Sequence, residues 1–191
     1  MSYYEVLLFL HITTAVIWLG SGFFVQMLIV RAQKTGDQLL LKQFSGHSAW
    51  MAQKIFIPAS LAVLVFGILL TIEGPWTFGQ LWIVLGLVGY ALSFLTGILF
   101  MEPEGKRIHA AIAAHGPDSP QAGFHIARIN VVSRMELVIL YLVVYVMALK
   151  PTGEDTGTLI VAAAVALGAF AYGVPKLRAP APTCAAPATS D

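Results

Sequence analysis

Residues 4–30 read YEVLLFLHITTAVIWLGSGFFVQMLIV, an apolar block with few polar interruptions. A helix that crosses the hydrocarbon core of a bilayer needs roughly 20 apolar residues, so this block is long enough to span a membrane. It has no basic start, and Glu5 stands where a secretory signal peptide would carry positive charge. We therefore expect the block to be a retained transmembrane helix and not a cleaved leader.

The rest of the chain repeats this pattern. The 191 residues are 58% hydrophobic and only 11% charged, whereas soluble domains carry about a quarter charged residues. Unpaired backbone amides in lipid cost several kcal/mol each, so each span must be helical. The sequence predicts an all-α, polytopic membrane protein: a four-helix transmembrane bundle plus a fifth transmembrane helix, forming one domain over residues 1–176. The predicted spans are about 4–30, 51–72, 78–101, 129–149 and 158–174.

The distribution of basic residues predicts the orientation. Ten of the eleven lysines and arginines fall on one side of the predicted spans: Arg31, Lys34, Lys42, Lys54, Lys106, Arg107, Arg128, Arg134, Lys176 and Arg178. Lys150 alone falls on the other side. Basic loops stay in the cytoplasm, so we expect the N-terminus outside and the C-terminus inside a bacterial inner membrane. Residues 177–191, rich in Pro and Ala, are predicted to be a disordered cytoplasmic tail.

Several function classes find no support in the sequence. A net charge of +1 without a basic aromatic patch gives no sign of nucleic-acid binding. Cys184 is the only cysteine, which excludes an intramolecular disulfide. No phosphate-binding glycine loop, zinc-spaced Cys/His cluster or nucleophile elbow is present, so hydrolase and kinase chemistry are set aside. Whether the protein is an enzyme stays open.

One face of the first helix is the leading candidate site. His11, Ala15, Trp18, Gly22 and Gln26 recur at helical spacing, so they share a face that we expect to point into the bundle. Three interpretations of His11 compete. It is a hydrogen-bonded core histidine, or an axial ligand to haem iron, or a proton relay or copper ligand on a solute path.

A haem held by two side chains would need a second ligand at the depth of His11. No other span contains a histidine. Met147 lies about 12 Å from the midpoint of its helix, close to the level of His11, so a His11/Met147 iron site is geometrically possible. Methionine in a membrane helix is also common packing material.

Two further helices carry unusual residues. Gly89, Ser93 and Gly97 form a stripe of small residues, which is typical of close helix packing and could also serve a homo-oligomer or another membrane protein. The fourth helix contains Asn130, Arg134 and Glu136. Arg134 and Glu136 are two residues apart and do not face each other, so each needs another partner.

Lys54 is the predicted partner of Glu136. Together with Asn130 and Arg134 these two residues would form a buried polar network. Such a network marks a functional site by default in a membrane span, and a buried ion pair that fixes helix register is the structural alternative.

The motifs LHITTAVIWLGSGFF (10–24) and KIFIPASLAVLVFGILL (54–70) together resemble the bacterial domain-of-unknown-function family 2269. More distantly they resemble HemJ-type protoporphyrinogen oxidases and CopD-like copper-resistance membrane proteins. RINVVSRMEL (128–137) is weakly similar to the start of the final HemJ helices. The likeness covers about residues 5–150 and leaves the fifth helix and the tail as additions.

The resemblance implies a four-helix bundle in which His11 faces inward and is associated with haem b. The residues of this chain that match the family pattern are His11, Trp18 and Lys54, together with Arg134 and Glu136. Where the HemJ pattern has a histidine and a lysine in its third helix, this chain reads QLWIVLGL (80–87). The resemblance thus implies haem binding more than protoporphyrinogen oxidation.

Three functions remain open. The first is a haem b protein in electron transfer or tetrapyrrole chemistry, with His11, Trp18 and Met147 as cofactor-binding candidates. The second is a non-catalytic accessory or assembly subunit that docks through the small-residue stripe or the fifth helix. The third is copper or small-solute permeation along His11 and Glu136.

Overall fold

The computed structural model describes residues 2–37, 47 and 50–178. Within this part of the chain the fold is all helical, and five helices are long and apolar enough to cross a membrane. They are α1 (Tyr3–Thr35), α2 (Ala52–Glu73), α3 (Leu81–His115), α4 (Pro120–Leu149) and α5 (Thr156–Leu177). Lys42, Cys184 and the predicted tail from residue 179 onward lie outside the described residues. Leu177 ends α5, and Arg178 follows it.

Local sequence signals account for most of the helix ends. The Ser2 side chain caps the start of α1 and the Glu5 side chain returns a bond to Ser2, which forms a capping box. Gly36 ends α1 in the left-handed conformation with φ of 69°. Ser119 caps α4, and Pro120 occupies its first turn.

Two helices extend well past the predicted spans. α3 continues to His115 instead of ending near residue 101, and α4 begins at Pro120 instead of near residue 129. About 20 residues suffice to cross a bilayer, so Glu102–His115 and the first turns of α4 project beyond it. The segment RIHAAIAAH (107–115) is therefore the end of α3.

Each of α2 and α3 contains one wide π-helical turn. The turns cover Ala52–Phe56 and Gly97–Met101, and each is closed by an amide bonded to the carbonyl five residues earlier. In both helices a proline, Pro58 or Pro103, follows two residues after the turn. Proline has no amide hydrogen and its ring clashes with the carbonyl four residues back. A wide turn just before it relieves this conflict without breaking the helix.

α4 is the helix around which the others pack. It contacts α3 along the whole shared length, α5 on another side and α1 more sparsely, while α1 packs mainly against α2. The start of α1 and the loops 74–80 and 150–155 lie at one end, called here the N-terminal end. The other end contains loop 116–119 and the end of α5. We call it the basic end because of its lysines and arginines.

The outer helices expose apolar side chains, as a surface in contact with lipid requires. Only 6% of the most apolar window of α1, and the same fraction for α5, is buried within the chain. Phe9, Val16 and Phe24 on α1 and Ile160 and Leu167 on α5 are among the exposed residues. The protein is an integral, multi-pass membrane protein, and these surfaces contact the bilayer.

Candidate functional site

His11 lies in the interface between α1 and α2. Its Nδ1 is 3.0 Å from the backbone carbonyl oxygen of Val63. A carbonyl only accepts, so Nδ1 is the protonated nitrogen and Nε2 keeps its lone pair. The ring lies against Gly67, where a Cβ would come within 3.1 Å of the His11 Cε1 atom. The glycine thus permits the close approach of the imidazole to α2.

The other two predicted cofactor residues lie in different interfaces. Trp18, two turns from His11 on α1, packs edge-on against Tyr90 of α3 with ring centroids 5.9 Å apart. The Met147 side chain is inserted against Gly86, between α3 and α4. His11 thus contacts α2 and Met147 contacts α3, so the two residues of the predicted ligand pair pack against different helices. Within the described residues, no three His, Cys, Asp or Glu side chains cluster as a metal site would require.

The predicted partner of Glu136 is replaced by another residue. Glu136 Oε1 accepts a hydrogen bond of 2.7 Å from the Ser93 hydroxyl on α3. Lys54 is exposed at the π turn of α2 instead of reaching into the bundle. A long cationic side chain at a helix end remains hydrated more cheaply than it is buried, which explains why Lys54 points outward.

The remaining network residues are Arg134 and Asn130, and Arg134 bonds to both α1 and α5. Arg134 donates from Nη2 to Gln33 Oε1 at 2.8 Å and from Nη1 to the Tyr172 hydroxyl at 3.2 Å. Asn130, one turn earlier on α4, is 5% exposed and its Nδ2 has no hydrogen-bond partner. Lys54, Asn130, Arg134 and Glu136 therefore do not converge on one network.

Gln26 is a further buried polar residue. The sequence places it on the inward face of α1 and assigns it no other role. Gln26 is 7% exposed, and neither its Oε1 nor its Nε2 has a partner. It is on the same face of α1 as Gly22, which approaches Leu137, and Gln33, which bonds Arg134. Unpaired buried amides cost about 1–3 kcal/mol each in proteins. The α1–α4 interface therefore contains amide groups without a partner among the described residues, and these groups are able to bond water or a polar ligand.

The small-residue stripe of α3 is used inside the chain. Gly89 meets Val143 of α4, and Ser93 donates to Glu136 of the same helix. A Cβ at Gly97 would meet nothing within 4 Å. Gly89 and Ser93 thus serve the helix packing that the stripe indicates, whereas docking of a partner through Gly97 or the fifth helix stays a prediction. The stripe packs helices within one molecule.

A charged cluster at the basic end was missed by sequence analysis. Glu104 of α3 is 1% exposed, yet it carries a carboxylate. His125 Nδ1 lies 2.7 Å from its Oε1, and Arg107 donates to its Oε2 at 2.7 Å. Arg128 Nε lies 2.9 Å from Oε1 as an ion pair without hydrogen-bond alignment. Arg128 also donates to the carbonyl oxygen of Leu177 at 3.1 Å, so the cluster ties α3, α4 and α5 together.

The environment of Glu104 favours its charged form. Burial raises the pKa of a carboxyl group, but here the hydrogen bonds from His125 and Arg107 and the charge of Arg128 outweigh burial. The pKa of Glu104 therefore lies below its ordinary value of 4.5. The sequence feature that points to this cluster is the i, i+3 spacing of Glu104 with Arg107 and of His125 with Arg128. Each pair alone is ordinary, and only the antiparallel packing of α3 and α4 joins them.

The comparisons agree with this architecture. No curated protein and no solved structure matches the chain. Residues 5–151 match the family described as "Predicted integral membrane protein (DUF2269)", which covers α1 to α4 and their connections and leaves α5 outside. The chain belongs to the DUF2269 family of integral membrane proteins.

Proposed function

We propose that the protein binds haem b and that His11 is its axial ligand, in a role in electron transfer or tetrapyrrole chemistry. The observation that carries the proposal is the hydrogen bond from His11 Nδ1 to the Val63 carbonyl. Histidines that ligate metals commonly donate their other ring nitrogen to a carbonyl or carboxylate, which fixes the tautomer and the ring orientation. His11 has this arrangement and presents Nε2 for coordination.

Haem fits this site better than a bare metal ion does. Zinc and copper sites need three or four protein ligands, and no such group accompanies His11 among the described residues. Haem brings four nitrogen ligands of its own and needs only one histidine from the protein. The distant resemblance of the first helix to HemJ-type proteins supports the same choice.

The site supplies one protein ligand for haem iron, His11. Met147 packs against Gly86 between α3 and α4, so the proposal rests on His11 alone. Haem supplies a reversible one-electron centre when it is bound. The chain's own contribution is to hold the imidazole ring: Val63 fixes its orientation and Gly67 admits it to the α2 surface.

The proposal includes a location and an orientation. The asymmetry of lysine and arginine favours a bacterial inner membrane, with the basic end in the cytoplasm and the N-terminal end outside. His11 then lies in the outer half of the membrane.

The test is an absorption spectrum of the purified protein in detergent, after expression with haem supplementation. We expect a Soret band and near-stoichiometric haem in the wild type, and loss of most bound haem in His11→Ala. His109→Ala is the matched control, since His109 lies beyond the membrane on the exposed extension of α3 and should retain full haem.

Two results would contradict the proposal. One is a colourless wild-type protein under these conditions, and the other is haem that stays bound equally in His11→Ala. Either result would favour the accessory-subunit or solute-path hypothesis over haem binding.

A further inference from the structure

A cavity opens at the N-terminal end of the bundle, away from His11. Its volume is about 380 Å³, and its walls come from loop 74–80, the first turn of α3 and the residues after α4. The walls include the Trp76 and Trp82 indoles, which meet edge-on with centroids 5.2 Å apart. Tryptophan is enriched where a membrane meets water, so the cavity is at the level of lipid headgroups.

The cavity has a positively charged wall. The Lys150 Nζ atom lies 4.1 Å from the Trp76 ring centroid and 5.4 Å from that of Trp82. The Lys150 backbone lies in the left-handed region, with φ of 49°. The next residue, Pro151, is almost fully buried. Trp76 is held in turn by a 3.3 Å hydrogen bond from its Nε1 to the Tyr4 hydroxyl. The ammonium group is therefore held by aromatic contacts, and no carboxylate of the described residues forms an ion pair with it.

The start of α3 adds further polar groups. Gln80 precedes the helix in an extended conformation, and no side chain caps the first amides. Leu81 and Trp82 line the cavity, and amides at these first positions have no acceptor within their own helix. The Oε1 atom of Gln80 is buried and has no hydrogen-bond partner. The cavity thus offers a cation and helix-start donors, whereas Gln80 Oε1 has almost no accessible surface.

The nearby carboxylate is already used within its own turn. Asp155 Oδ2 accepts from the Thr152 amide at 2.7 Å and from the Thr152 hydroxyl at 2.8 Å. These two bonds lower the pKa of Asp155, which stays ionised and bound to its turn. Thr152 lines the cavity, but the Asp155 carboxylate does not.

We propose that this cavity binds the phosphate of a glycerophosphate headgroup, with the phosphate at Lys150 and the start of α3. Phosphate at a helix start beside a lysine is a common arrangement. Because the cavity lies at headgroup level, we assign the group to an anionic phospholipid such as phosphatidylglycerol, in the leaflet at the N-terminal end. The same chemistry could be met by free glycerol phosphate, and the experiment separates these two sources.

The test is native mass spectrometry of the full chain, titrated with phosphatidylglycerol, phosphatidic acid or phosphatidylcholine, and in a separate arm with glycerol 3-phosphate. We expect phosphatidylglycerol and phosphatidic acid to be retained in preference to phosphatidylcholine, and free glycerol phosphate to bind much more weakly. Lys150→Gln should weaken phosphatidylglycerol binding about tenfold or more, the usual worth of a charged hydrogen bond. Lys150→Arg should keep most of it.

Lys106→Gln is the control, because Lys106 is exposed at the basic end and pairs with Glu102. Unchanged phosphatidylglycerol binding in Lys150→Gln, or equal loss in Lys106→Gln, would overturn the proposal. Tight binding of free glycerol phosphate would overturn the assignment to a lipid.

Discussion

Gly67 illustrates how one missing side chain determines a neighbouring residue's position. A Cβ atom at residue 67 would lie 3.1 Å from the His11 Cε1 atom and 3.5 Å from its Nδ1 atom. The hydrogen bond to Val63 and the proposed ligand geometry both depend on this approach. A methyl group would force the ring to shift by a few tenths of an ångström.

We therefore predict that Gly67→Ala lowers haem occupancy and shifts the Soret maximum. Gly20→Ala is the control, since its Cβ would meet nothing within 4 Å. Alanine favours a helix by about 0.5–1 kcal/mol over glycine in both variants, so a difference between them reports on His11. The measurement is the haem-to-protein ratio with the absorption spectrum. Identical spectra for the two variants would contradict the prediction.

Glu104 determines how the basic end responds to acid and to mutation. Removing one partner from a buried charged cluster typically costs roughly 3–5 kcal/mol. We predict that Glu104→Gln lowers stability by this order, measured by thermal unfolding in detergent. Glu102→Gln should change it by less than about 1 kcal/mol, because Glu102 and Lys106 are exposed.

The pH dependence follows from the lowered pKa of Glu104. A carboxyl that ionises more readily when folded contributes stability above its unfolded pKa, near 4.5, and loses it as pH falls through the folded value. We predict that wild-type stability exceeds that of Glu104→Gln at pH 7, and that the gap closes as the pH falls below about 4.5. A gap that is independent of pH would contradict the assigned ionisation.

Among the elements, the α3–α4 pair is the most closely packed. Gly86 meets Met147, Gly89 meets Val143, and further along Ser93 bonds Glu136. We predict that Gly89→Leu costs about 1–3 kcal/mol, since an overpacked interface must spread. Val143→Ala should restore part of this loss in the double variant. Gly168→Leu on α5, where nothing lies within 4 Å, should be neutral. The measurement is thermal unfolding of the four proteins in one detergent.

The sequence predicts the elements well within the bilayer and poorly beyond it. All five spans follow from apolar runs of sufficient length. Past Met101, Pro103 and Gly105 argue locally for a loop, and the helix persists because Glu104 is bound by residues of α4. Periodicity places His11 on the inward face. Its contacts with Val63 and Gly67 depend on the register between two helices, which a single sequence does not contain.

At the scale of the whole molecule, the two ends differ in chemistry. Among the described residues, nine of the ten lysines and arginines lie toward the basic end, whereas the N-terminal end has Lys150 and the Trp76 and Trp82 indoles. We predict that alkaline phosphatase fused after Gly153 is active, because that loop would be outside. The same enzyme fused after Gly116 should be inactive, and green fluorescent protein at that position should fluoresce. The opposite pattern would reverse the proposed orientation.

Because of the wide turn at Gly97–Met101, we expect α3 to tolerate the deletion of one residue there, provided that Pro103 is also replaced. Such a turn holds one residue more than a regular helix, so deleting one residue there leaves the Ser93 and Glu104 faces aligned with α4. Pro103 would then lie in regular helix, where it costs roughly 3 kcal/mol. Shortened homologues should therefore have lost this proline together with the extra residue.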